Sequence, residues 1–142
     1  MTLSRSALTY AADVDHASRY QLLDYANEEG FLSDVRLPLT IIYRGEGRRI
    51  DRHQERSVEE LRAELEELLR AGHLELYEAT ERDAPRTLSL DEALAVAADD
   101  RNWYTDKALG KPADEHRPIY GLFLTDSGEE EHQQEQERAN RT

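Results

Sequence analysis

Residues 57–78, SVEELRAELEELLRAGHLELYE, leave this chain few folding choices. Ser57 and Glu60 stand at capping-box spacing, where the hydroxyl accepts from the Glu60 amide and the glutamate reaches back. Val58, Leu61, Leu65, Leu68 and Leu69 then recur at three- and four-residue steps, the apolar stripe of an amphipathic helix. Gly72 falls where the chain needs a left-handed residue to leave that helix. Leu74 and Leu76 alternate with His73, Glu75 and Tyr77, which predicts a strand with one buried and one wet face. A helix that must bury a stripe and a strand that must bury a face predict an α+β domain.

With 142 residues the chain can form one domain with a single core, kept modest by 35% charged against 38% hydrophobic residues. A net charge of −13 favours solubility and repels phosphate backbones and anionic lipid surfaces. The acidity is uneven: residues 72–142 hold 8 Lys+Arg against 17 Asp+Glu, a balance of −9. The absence of cysteine excludes disulfides, a thiolate zinc site and a cysteine nucleophile, and fits a reducing cytoplasm. The first fifteen residues do not read as a signal peptide, and the apolar run LPLTIIY at 37–43 is too short to cross a bilayer. A cytoplasmic location and no membrane partner are therefore expected.

Residues 16–29 predict a first helix, capped by Asp13 or Asp15 and followed by Gly30, with Ala17, Tyr20, Leu23 and Ala26 on one face. Phe31 and Leu32 are expected to fold back on its end. Residues 37–43 predict a short strand, with Pro38 restricting it to an edge or a strand start. Residues 44–56, RGEGRRIDRHQER, are read as a loop with at most one helical turn; they carry five arginines against three acids. After a linker, Ser89 and Glu92 repeat the capping box and start a helix placing Leu90, Ala93, Leu94 and Ala97 toward a partner surface. Residues 105–117 are read as an exposed loop. Residues 118–124, PIYGLFL, predict the last strand, paired with Leu74–Leu76 over the leucine stripe despite the distance in sequence. Ser127 and Glu130 make a third capping-box spacing, at which a helix can begin. Beyond it, residues 129–142 hold almost nothing apolar, so a solvated, frayed tail is expected.

A helix near the N-terminus, a helix leaving through Gly72 into Leu74–Leu76, and a strand closing on Leu124, Thr125, Asp126, Ser127 and Gly128 together resemble the winged-helix family. The resemblance is to PadR-like and MarR-like repressors and spans residues 16–128. It implies a single domain over 1–128: a winged-helix-like helical core, a small antiparallel sheet, and a helix-containing insertion at about 80–117 between the wing strands. Three departures stand beside it: the wing strands are separated by about forty residues containing an apparent helix, where a simple wing has a tight hairpin. No second helix is evident before residue 57, and the final segment lacks the apolar stripe of a dimerising helix.

Three function classes follow. A transcription regulator would use Arg44, Arg48, Arg49, Arg52 and Arg56 with the 57–71 helix. That helix, however, turns Glu59, Glu60, Glu64, Glu66 and Glu67 outward with Arg62, which opposes phosphate binding. The bland alternative is that the arginines pair with neighbouring acids on a solvated face. A protein-binding adaptor fits the charge better, with Trp103 and Tyr104 as interface candidates, although the only tryptophan of a small domain is often core. Such an acidic adaptor could neutralise a basic partner, such as a nuclease toxin or a DNA-binding protein.

An enzyme is not expected. His16, His53, His73, His116 and His132 fall in separate segments with no metal-ligand spacing. Gly45 and Gly47 lack the third glycine of a phosphate loop, and a helix start accounts for Asp13 and Asp15 beside His16. His73 reads as a helix cap. The sequence therefore predicts no catalytic, cofactor or metal residues, and a protein partner ahead of DNA.

Overall fold

The computed structural model describes residues 16–45, 47–80, 84–114 and 116–141. The chain runs through α1 (His16–Asn27), β1 (Leu39–Tyr43), β2 (Arg49–His53), α2 (Val58–Arg70) and β3 (Leu74–Ala79). It continues through β4 (Arg86–Thr87), α3 (Leu90–Ala98), a 3-10 turn (Asp100–Trp103), β5 (Ile119–Leu124) and α4 (Asp126–Asn140). The fold is α+β with small antiparallel sheets.

Helix α2 forms as its stripe dictates. Ser57 Oγ accepts from the Glu60 amide at 3.2 Å, and Val58, Leu61, Leu65, Leu68 and Leu69 are all buried. The exit is a Schellman turn: Gly72 at φ +76° lets its own amide reach Leu69 and the His73 amide reach Leu68, so His73 closes the helix through its backbone. Strand β3 then lies antiparallel to β5, with Leu74 opposite Leu124 and Leu76 opposite Leu122, over the leucine stripe. Gly121 in β5 faces Tyr77, whose ring occupies the space a Cβ would need.

Leu88, Ala93, Ala97 and Trp103, from the expected insertion, belong to the core itself. Strand β4 extends the sheet on the other side of β3, giving the order β4-β3-β5. Ser89 and Glu92 complete their capping box, and α3 buries Ala93 and Ala97 while Leu90 faces solvent. Trp103 is fully buried and its indole N–H donates to the Ala97 carbonyl at 2.9 Å. Residues 106–110 form turns, and Asp106 ties the following stretch down by accepting from Arg117 at 2.5 Å and from the Asp114 amide at 3.0 Å.

Two expectations are corrected. Residues 44–56 are not loop throughout: Arg49–His53 pairs with β1 in a hairpin, Leu39 opposite His53 and Tyr43 opposite Arg49, while 54–56 stay irregular. The alternation is inverted. Asp51 is buried, Arg49 and His53 lie partly buried on its face, and Ile50 is exposed, so an apolar-in rule misses the strand. Residues 126–140 are not a frayed tail but helix α4, capped by Thr125 accepting from the Gly128 amide rather than by Ser127. It packs on α1 through polar contacts: Arg19 to Glu131 at 2.7 Å, His16 to Glu135 at 3.0 Å, and His132 to Asp24.

Helix α1 is consequently surrounded. Ser18, Gln21 and Asp24 are buried together with Tyr20, Leu22, Leu23, Tyr25 and Ala26. Gln21 donates to the Val35 carbonyl and accepts from Arg56, both at 2.8 Å, so its burial leaves no amide unmet. Beyond it, Leu32 is buried while Phe31 stays exposed, so only one of the two folds back. Among the described residues no helix is long and apolar enough to cross a membrane.

Candidate functional site

The inverted hairpin brings its polar face onto α1 and α4. Asp24, fully buried, accepts from three directions: Tyr43 Oη at 2.5 Å, His53 Nε2 at 2.5 Å, and His132 Nε2. Beside it Asp51 accepts from Arg49 Nε at 2.8 Å and from Tyr20 Oη, and Arg49 Nη2 donates to that same phenol oxygen at 3.1 Å. Burial alone would push the Asp24 carboxyl up. The donors from His132, His53 and Tyr43 more than reverse this and hold it below the ordinary carboxylate value. Tyr20 and Tyr43 move the other way, pushed up by burial and by the aspartates that accept from them, so both stay protonated donors.

The cluster was hidden in the sequence because its members come from α1, β1, β2 and α4. Two local signals point to it. Tyr20 and Asp24 are one helical turn apart, and Arg49, Asp51 and His53 alternate at strand period. Asp24, Asp51 and His53 each offer a ligand atom within 4.8 Å of the others, a set able to hold a divalent cation that the sequence did not suggest. Two ligands of one tetrahedral zinc, at bonds of about 2.0–2.1 Å, stand about 3.3 Å apart. The 2.5 Å between His53 and Asp24 is instead a proton-sharing contact, and both aspartates are already met by protein donors. In this form the cluster is a hydrogen-bonded network that ties three elements to α1.

The five arginines of 44–56 do not all face solvent. Arg49 and Arg56 turn inward, onto Asp51 and Gln21 respectively. Arg44, Arg48 and Arg52 are exposed. Arg49, Arg52 and Arg56 nevertheless border one cleft of about 500 Å³, with Arg138 on α4 across from them. Helix α2 offers nucleic acid little. Glu64 is buried rather than outward, Arg62 is drawn to the Ala97 carbonyl at 2.8 Å and to Asp100, and Glu59, Glu60 and Glu67 remain exposed.

Trp103 is core and is withdrawn as an interface anchor, because its ring is sealed beneath α3. Tyr104 behaves differently. Its half-buried ring carries the Arg36 guanidinium 4.3 Å from its centroid, while Arg36 Nε donates to the Trp103 carbonyl at 3.3 Å. Tyr104 also lines a groove of about 750 Å³ with Phe31, Ile119 and Tyr120. Phe31 was read only as a fold-back contact; a bridge between Phe31 and Gly121 sets it beside β5 and leaves its ring in solvent. His73 Nδ1 lies 2.9 Å from Ser127 Oγ at the α2 exit, His116 is exposed in the 105–117 stretch, and Asp13 and Asp15 lie outside the described residues. Set against protein-family models, curated proteins and solved structures, the chain matches none.

Proposed function

We propose that the protein is a non-enzymatic, cytoplasmic interaction module: an acidic adaptor on a winged-helix-like scaffold that binds a basic protein segment carrying an apolar anchor. The observation that carries this reading is the groove of Phe31, Tyr104, Ile119 and Tyr120, where Phe31 is 40% and Ile119 42% exposed. Large apolar side chains gathered at one groove are what a partner's anchor would cover. Asp34, Asp106 and Asp114 border the groove against Lys107 and Arg117, and Arg117 is engaged by Asp106. In a chain of net charge −13 this favours a basic partner. The Arg36 stack holds the Tyr104 ring in place before binding, which lowers the ordering cost.

The winged-helix reading draws support from the path of α2 through Gly72 into β3, the pairing of β3 with β5, and the run of β5 into a Thr125-capped helix. The β1–β2 hairpin stands where a helix-turn-helix has its first helix, which turns the reading away from α2 as a contact surface. Exposed Arg44, Arg48 and Arg52 favour duplex DNA as a second reading, opposed by the acidic outer face of α2.

A displayed peptide library selected on the full chain tests the proposal. Enriched peptides should pair lysine or arginine with an aromatic or aliphatic residue, and their binding should fall about tenfold or more with Phe31→Ala and with Ile119→Ser. Peptides indifferent to both variants would sink the groove as the binding surface. Duplex binding at low salt, lost on Arg48→Ala with Arg52→Ala, would move the function to DNA.

A further inference from the structure

The lining of the cleft between the hairpin and the end of α4 runs against the net charge of the chain. Arg49, Arg52, Arg56 and Arg138 border it against Asp51 and Glu135, an excess of guanidinium in a chain of net charge −13. Both carboxylates are already engaged. Asp51 accepts from Arg49 and Tyr20, while Glu135 accepts from His16 at 3.0 Å with Arg19 and Arg138 each at 3.7 Å. The guanidiniums are less fully used. Among the described residues, Arg49 Nη1 is buried with no hydrogen-bond partner, and the Arg52 side chain makes no hydrogen bond or ion pair. An exposed guanidinium with no acceptor of its own, such as that of Arg52, is free to meet an oxyanion entering the cleft. Tyr20 and Ile50 supply the apolar part of the wall.

We propose that this cleft is a binding site for a small, multiply charged oxyanion, a ligand bearing phosphoryl or several carboxylate groups. Guanidinium forks match both kinds of oxyanion in bidentate geometry, and a cleft of about 500 Å³ is sized for a small molecule rather than a polymer. Arg52 and Arg138 close on the ligand from opposite walls. Arg49, held by Asp51 and Tyr20, adds a fixed positive charge to the wall. The site is separate from the Phe31 groove, so the two proposals stand or fall independently.

Titration of the full chain with inorganic pyrophosphate and with citrate, followed by backbone amide shifts at about 0.15 M salt, tests the site. Saturable shifts at residues 49–53 and 138–140 are expected with at least one probe. The tighter probe identifies the ligand as phosphoryl or carboxylate. Arg52→Ala and Arg138→Ala should each weaken binding about tenfold or more, as expected for loss of a charge-assisted hydrogen bond. Arg101→Ala, which removes an exposed partner of Asp99 outside the cleft, should leave it unchanged. Failure of both probes to saturate overturns the proposal. So does binding that Arg101→Ala weakens as much as the cleft variants.

Discussion

Asp24 and His132 are 108 positions apart in the chain and meet in its interior, where His132 Nε2 donates to Asp24 Oδ1. This contact, with those of Arg19 and His16 to α4, docks a helix that has almost no apolar residue with which to dock. It replaces the usual hydrophobic seam by charge-assisted hydrogen bonds made out of water, which are strong when complete and costly when broken.

Truncating one partner should therefore unseat α4. Asp24→Ala leaves Tyr43, His53 and His132 without their acceptor and should cost about 3–5 kcal/mol in urea unfolding. The double variant with His132→Ala should be less destabilised than the sum of the two singles, by about 0.5–3 kcal/mol. Additive losses would mean that the two residues do not interact.

Acid should weaken the same network. The Asp24 carboxyl is held below its ordinary value, so across the acid range the unfolded chain binds more protons than the native one. Its contribution is complete above the unfolded value of about 4 and is lost as pH falls through the depressed native one. Glu92, exposed in the α3 capping box and held down at about 2 by Arg86 and by the Ser89 amide, bends the curve in the same sense. The readout is thus the difference between chains. The urea midpoint of the wild type should fall more steeply below about pH 4 than that of Asp24→Asn.

Trp103 and Tyr104 should part company. Trp103→Ala empties a sealed site beneath α3 and should cost about 3–5 kcal/mol. Tyr104→Ala removes a half-buried ring and one cation–π contact, about 1 kcal/mol of stability, yet should abolish most peptide binding in the groove. Equal thermal shifts for the two variants would contradict the assignment.

Gly128→Ala should destabilise although it places a better helix former in the first turn of α4. A Cβ there runs into the carbonyl group of His73, a backbone atom that cannot rotate away. A loss of about 1–3 kcal/mol is expected, with increased amide exchange at the α2 exit. A gain in stability would show that the α2 exit and α4 can separate freely.

The central frame was legible because its signals are local and redundant. The Ser57 cap, the leucine stripe, Gly72 and the Leu74–Leu76 alternation each name the same helix–turn–strand, and Ser89 with Glu92 names α3 in the same way. The first strand of the hairpin was expected at 37–43 and forms at Leu39–Tyr43, but the second was illegible for the opposite reason. Its buried face carries Arg49, Asp51 and His53 and its wet face carries Ile50, so hydrophobic periodicity pointed away from the strand that formed. Helix α4 was lost to the same rule, since composition measures apolar burial and says nothing of acceptors and donors waiting on a distant surface.

By itself, then, the sequence determined the segments whose caps and apolar periodicity agree, and which leucines had to leave water, because both signals act within a few residues. Which polar groups would be buried was decided only by the tertiary structure. A carboxylate such as Asp24 can leave water only where donors from other parts of the chain converge on it. Tyr43, His53 and His132 are brought to that one point by the folded backbone alone.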